Sequence, residues 1–274
     1  MPGSSSWDVI FGTDSDRVVL SVDFPAARRG EAGFSDLASR VGPGYRFMQT
    51  RPPVTRSCQR VRGSSYIGPW LEDIRQDRYR VAAVLGYRVG SVYAAAIAEG
   101  IAQWQPMPKV ILFDPRFASN SDLGLEFHRE ICSISSLLSD DEIERTKKMV
   151  AEISESATCD IANAAAEMAG MYWEVSTLAY ERAGLGSTCN DKFIAPFNSY
   201  ISWLSVAGQI DPGPVWRRST AIVSADYAGL PDGEYPDAGD GDLIGQRVPF
   251  DVADADLLRS DRVARTVLDL LACG

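Results

Sequence analysis

Apolar and polar positions along the chain change rhythm several times, and the changes divide it into elements. RVVLSVDF (residues 17–24) is a short apolar run of strand type, and FSDLASRVG (34–42) has helical spacing, with Ser35 a candidate N-cap and Gly42 a stop. YRFMQTRPP (45–53) has strand character and ends in prolines, and SSYIGPWLEDIRQD (64–77) has helical spacing around Trp70, Leu71 and Ile74. RVAAVLGY (80–87) is apolar throughout, VYAAAIAEGIAQW (92–104) is a helix of small residues, and KVILFDPR (109–116) is a further strand. Strands that alternate with helices imply a mostly parallel sheet with helices on both faces.

The pattern then changes. Residues 123–185 are helical almost throughout, and Ser139 with Glu142 makes a capping box at the head of SDDEIERTKKMVAEI. Strand character returns in STAIVSADY (219–227), an Asp/Gly-rich loop covers 230–245, and LLRSDRVARTVLDLL (257–271) is expected as the final helix. An α/β core over 1–120 and 216–274, interrupted by a helical insertion over 121–215, accounts for this order. Trp70, Trp104, Trp173, Trp203 and Trp216 sit in patterned segments and are expected to pack, as are the Met and aromatic residues of MAGMYWEV (168–175).

Composition narrows the chemistry. The formal net charge is −10 over 274 residues, which argues against binding nucleic acid through bulk charge. No apolar run is long enough to cross a bilayer, and the N-terminal stretch has no secretory pattern, so a cytoplasmic protein without membrane contact is expected. Cys58, Cys132, Cys159, Cys189 and Cys273 are scattered and form no C-x-x-C pair, so reduced thiols are expected and no zinc site. His128 is the single histidine, so no multi-histidine metal site can form and any imidazole chemistry must use that residue. No metal or cofactor is expected.

One motif carries the functional question. Gly86-Tyr87-Arg88-Val89-Gly90 joins the apolar strand to the alanine-rich helix, as G-x-S-x-G does at a nucleophile elbow. Here an arginine occupies the tip. A guanidinium stays protonated and has no lone pair with which to attack.

This elbow, the strand VILFDP (110–115) and the tail FDVADADLLRSDRVARTVLDLL (250–271) resemble the α/β-hydrolase superfamily, in its thioesterase-like branch of polyketide and nonribosomal-peptide biosynthesis. The resemblance implies an α/β-hydrolase fold, a helical lid over an acyl site, and attack on a thioester by an elbow Ser or Cys helped by His and Asp. Carried onto this chain, it puts Arg88 at the nucleophile position and Asp254 at the base position, with Asp226 a candidate for the acid. Asp23, Phe24 and Pro25 match the oxyanion loop, where Pro25 has no N–H to give and Asp23 would repel a developing oxyanion. Arg88, Asp254, Asp23, Phe24, Tyr87 and Val89 are therefore the expected binding residues, without a working triad.

Three functions stay open. The first is a catalytically degenerate component that binds a partner enzyme, an acyl or peptidyl carrier protein or a tethered intermediate, with Arg88 paired to Asp254. The second is a repurposed, non-hydrolytic enzyme for cyclisation or group transfer, in which Arg88 grips an anionic small molecule and Asp residues act as base. The third is residual thioester hydrolysis. Ser91 reads as a small helix residue packed on the sheet, Cys58 as an incidental thiol in a basic stretch, and His128 as a solvent-facing residue of the insertion. Arg51, Arg56, Arg60 and Arg62 form the one basic cluster and the expected docking face; the chain is also a candidate oligomer.

Overall fold

The computed structural model describes residues 6–12, 15–24, 30–55, 63–155, 160–185, 194–230 and 243–272. They form two compact units. One comprises residues 1–51, 64–117 and 210–274, and the other residues 52–63 and 118–209.

The first unit is built on seven strands: β1 (Trp7–Phe11), β2 (Arg17–Val22), β3 (Arg46–Thr50), β4 (Arg80–Tyr87), β5 (Lys109–Phe113), β6 (Thr220–Val223) and β7 (Gln246–Pro249). Their order across the sheet is β1-β3-β2-β4-β5-β6-β7. β1 runs antiparallel to β3 and every other neighbouring pair is parallel. Parallel neighbours need crossover connections, and the helices α1 (Phe34–Val41), α2 (Gly63–Gln76) and α3 (Gly90–Ile101) supply them. The short helix α8 (Gly213–Trp216) precedes β6, and α9 (Asp261–Ala272) closes the chain.

Alternation along the strands splits the core into two layers. Val19, Phe47, Leu85, Ile111, Phe113 and Ile222 point to one face and pack against Phe34, Leu37 and Val41 of α1 and Val263, Val267 and Leu271 of α9. The opposite face is covered by α2, α3 and α8. There Trp70 stands edge-on to Tyr66 and Tyr93, and Trp216 donates its indole N–H to the Ser91 carbonyl at 3.1 Å. The middle strands are apolar on both faces because both are covered.

The second unit is helical: α4 (Asn120–Ser133), a 3-10 turn (Ser135–Leu137), α5 (Asp140–Glu155), α6 (Ile161–Arg182) and α7 (Ala195–Ala207). Phe127, Tyr172 and Phe197 form its aromatic centre, with ring centroids 4.2–6.1 Å apart. The Ser139–Glu142 capping box forms at the head of α5, and Glu142 also accepts two 2.8 Å bonds from Arg182 of α6.

Several local expectations need correction. The N-cap of α1 is Gly33 rather than Ser35, because the Asp36 carboxylate accepts from the Gly33 N–H at 2.8 Å. The final helix is broken: Asp254–Arg259 is a 3-10 segment, Ser260 is extended, and α9 begins at Asp261. Trp173 does not pack inside; it is exposed on α6. The sheet gains β1 and β7, which the hydrophobic pattern did not reveal.

Candidate functional site

The site grows from the turn between β4 and α3. Arg88 sits there with φ 48°, in the left-handed region that costs a non-glycine residue energy. The neighbouring glycines make the turn feasible. A Cβ on Gly86 would lie 2.5 Å from the Ser91 Cα, and one on Gly90 would lie 2.2 Å from the Val22 carbonyl oxygen. The strand, the helix and the end of β2 therefore meet at van der Waals limits. The Arg88 N–H donates to the Phe113 carbonyl at 2.8 Å and its carbonyl accepts from the Ser91 N–H at 3.0 Å, so the tip is fixed from both sides. Ser91 is fully buried, with its hydroxyl donating to the Gly86 carbonyl at 3.1 Å.

The side chain at the tip is surrounded by acids. Arg88 Nη2 lies 2.5 Å from both carboxylate oxygens of Asp254. Arg88 Nη1 lies 3.2 Å from Oε2 of Glu31. The Tyr87 hydroxyl donates to Asp254 Oδ1 at 2.9 Å, and the guanidinium carbon stands 4.9 Å from the centre of the Tyr87 ring. Asp226 is exposed and accepts from the Asp254 N–H at 2.9 Å, so it holds the backbone on which Asp254 is carried.

Arg88 and Asp254, matched to the nucleophile and base positions, are thus joined directly. Burial works against the Arg88 charge, but the hydrogen bond to Asp254 and the fields of Tyr87 and Glu31 outweigh it and hold the guanidinium protonated. Burial likewise works against the Asp254 carboxylate; the Arg88 hydrogen bond and charge, the Tyr87 hydrogen bond and the nearby Arg116 charge win and keep its pKa below the ordinary carboxylate value.

Two site residues were missed from sequence. Glu31 lies in a loop with no pattern to mark it. Asp114 directly follows β5, the strand next to the elbow strand, with φ 43° and a buried side chain. Its Oδ1 accepts from the Ser224 N–H at 2.8 Å. Burial raises its pKa against the lowering effect of Ser224, and Asp254 and Arg88 are close enough to pull it in opposite directions. A signal for it existed: in α/β sheets, sites gather at the carboxyl ends of strands, and FDP ends one.

The other expected residues are placed as follows. Asp23 and Phe24 are buried at the end of β2. The Asp23 backbone is tied to Thr50, whose hydroxyl donates to the Asp23 carbonyl at 3.2 Å, and the Asp23 Cα borders the space at Gly90. Val89 caps α3 and is buried. Pro25, Cys58, Arg56, Arg60 and Arg62 lie outside the described residues. Arg51 is paired with Asp8, so its charge is already answered within the chain. His128 is exposed on α4, in the helical unit. No cluster of three or more metal-ligating side chains occurs among the described residues, and no described helix is long and apolar enough to cross a membrane.

The tip of the turn carries a guanidinium, and Asp254, the residue matched to the base position, is engaged by it. An incoming anion would have to displace Asp254 or Glu31 to reach Arg88.

The sheet order, the single antiparallel edge pair and the sharp strand–helix turn define the α/β-hydrolase fold. Across 97% of its length the chain resembles the solved holo-AB3403, a four-domain nonribosomal peptide synthetase bound to AMP and glycine (TM-score 0.57, 10% identity); it spans 20% of that protein. The chain also resembles, with lower scores, the enol-lactonase from Burkholderia xenovorans LB400 (TM-score 0.48, 15% identity, 94% of this chain and 92% of that one) and the surfactin-cyclising thioesterase domain SrfTE (TM-score 0.46, 13% identity, 93% and 91%). No protein-family model and no curated protein sequence matches the chain.

Proposed function

We propose that this protein is a catalytically silent, thioesterase-like α/β-hydrolase that serves natural-product biosynthesis by binding a carrier protein, a partner enzyme or a tethered intermediate. The observation that carries this reading is the direct contact of Arg88 with Asp254, 2.5 Å from guanidinium nitrogen to both carboxylate oxygens. One charge-assisted contact fills the places where a nucleophile and a base would have to act. The elbow is still built to steric tolerance around Gly86 and Gly90, so the frame persists without the reactive atoms. Conversion of the site to anion binding is not favoured, because the guanidinium is held by two carboxylates of the same chain.

The test is hydrolysis of short and medium acyl-N-acetylcysteamine thioesters, followed as free thiol and free acid. Wild-type protein is expected to release acid at the buffer rate. Release above that rate, lost in Arg88→Ala or Asp114→Asn, would overturn the reading and reinstate an active elbow.

A further inference from the structure

The helical unit contains a nucleophile and a base that the elbow does not use. His128 and Cys132 lie one turn apart on α4, and Cys132 Sγ is 3.5 Å from His128 Nε2. His128 is the sole imidazole of the chain, and Cys132 is an exposed free thiol. His128 also lines a cavity of about 390 Å³ formed by residues of α4 and α5, and Cys132 reaches that cavity through its contact with His128. That volume falls in the range of roughly 300–1,000 Å³ typical of small-molecule sites. Its wall is mainly apolar, with Leu125, Phe127, Ile131 and Val150, and Lys147 stands at its border. Close approach of the helices at one end, where a Cβ on Gly124 would lie 2.3 Å from Ser154 Oγ, fixes the spacing. The Ser154 hydroxyl is buried there and has no hydrogen-bond partner among the described residues.

A thiol with an imidazole in reach is the arrangement of an activated nucleophile, and an adjoining apolar cavity suits a hydrocarbon chain. We propose that Cys132 and His128 form an acyl-accepting site, which takes a medium-chain acyl group from a thioester and holds the chain in the α4–α5 cavity. Cys132 Sγ attacks the thioester carbonyl carbon while His128 Nε2 takes the thiol proton. The tetrahedral adduct collapses, the carbon–sulfur bond to the donor breaks, and the departing thiolate receives the proton from His128. The products are S-acyl Cys132 and the free donor thiol, and nothing is oxidised or reduced. The site deepens the binding role by naming a tethered acyl group as cargo, and it uses no atom of the elbow.

The full-length protein is incubated with octanoyl-coenzyme A, and the product is read by intact-mass and peptide mass spectrometry. One octanoyl adduct on Cys132 is expected, absent in Cys132→Ser and formed at least about ten-fold more slowly in His128→Asn, in line with the usual contribution of a general base. Ala151→Trp, which fills the cavity from its exposed side, should slow octanoyl transfer while leaving alkylation of Cys132 by iodoacetamide unchanged; an unaltered circular dichroism spectrum and thermal transition show that the variant is folded. No adduct, an equal rate in His128→Asn, or acylation spread evenly over the other cysteines would overturn the proposal. Failure of the silent-elbow reading would look different, as release of free octanoate that persists in Cys132→Ser.

Discussion

Arg88 is three-quarters withdrawn from water, and each polar group near it answers its charge. The Arg88 charge favours ionisation of both Asp254 and Asp114, yet their pKa values move in opposite directions, because burial dominates at Asp114. The folded pKa of Asp254 lies below its unfolded value. Its contribution to stability is therefore present above about pH 3.9, the ordinary aspartate value, and is lost as pH falls through the lower folded value. Asp114 has a raised folded pKa. Its contribution is full below about pH 3.9 and disappears as pH rises through the folded value, so at neutrality its buried charge is a cost. Asp114→Asn keeps an oxygen for the Ser224 N–H and removes that charge. We expect it to raise Tm at pH 7 by about 2–4 °C, the effect of ~1 kcal/mol in a domain of this size, with the gain shrinking toward pH 4. Differential scanning calorimetry at the two pH values checks this, and a fall in Tm at pH 7 would mean that the Asp114 charge is supported by Arg88 more than burial penalises it.

At the scale of elements, the elbow is a contact of three backbones, and its two glycines are required by space. Gly86→Ala drives a methyl into the Ser91 backbone and Gly90→Ala drives one into the Val22 carbonyl, neither of which can move without parting strand from helix. Each is expected to cost about 3 kcal/mol or more by overpacking. Gly170, exposed in the middle of α6 with nothing within 4 Å of a Cβ, should respond the other way, gaining about 0.5–1 kcal/mol as alanine. Urea titration of the three variants separates the two behaviours. This turn was legible in the sequence because its glycine spacing and flanking patterns are dictated by the same packing. The edge strands were not. β1 is half exposed, and β7, Gln-Arg-Val-Pro, is exposed at all but Val248; an edge strand without an apolar alternation reads as a loop. The tail was read as one helix because Leu257 and Leu258 continue its apolar spacing, yet both are buried from a 3-10 segment.

At the scale of the whole molecule, the site is assembled from five segments far apart in sequence: Glu31, Tyr87 with Arg88, Asp114, Asp226 and Asp254. Sequence reading could match positions to a family pattern one at a time, and so named Tyr87, Arg88, Asp226 and Asp254. Only the parallel order of β2, β4, β5 and β6 brings Glu31 and Asp114 to the same end of the sheet. If that frame still holds triad geometry, two side chains should be enough to use it. Arg88→Ser supplies the nucleophile, Asp254→His supplies the base, and Asp114 is the buried carboxylate available to orient the new imidazole. The double variant is expected to hydrolyse acyl-N-acetylcysteamine at least ~10-fold faster than wild type, with neither single variant active, since the parts of a triad act as a unit. Its rate should stay well below that of a complete enzyme if Asp23, whose Cα borders the elbow at Gly90, repels a developing oxyanion. Adding Asp23→Asn to the double variant should then raise kcat with little change in KM, as removal of a repulsion felt in the transition state requires. A double variant that folds, binds substrate and remains inert even with Asp23→Asn would show that the backbone around Arg88, and not only its side chains, has left the catalytic arrangement.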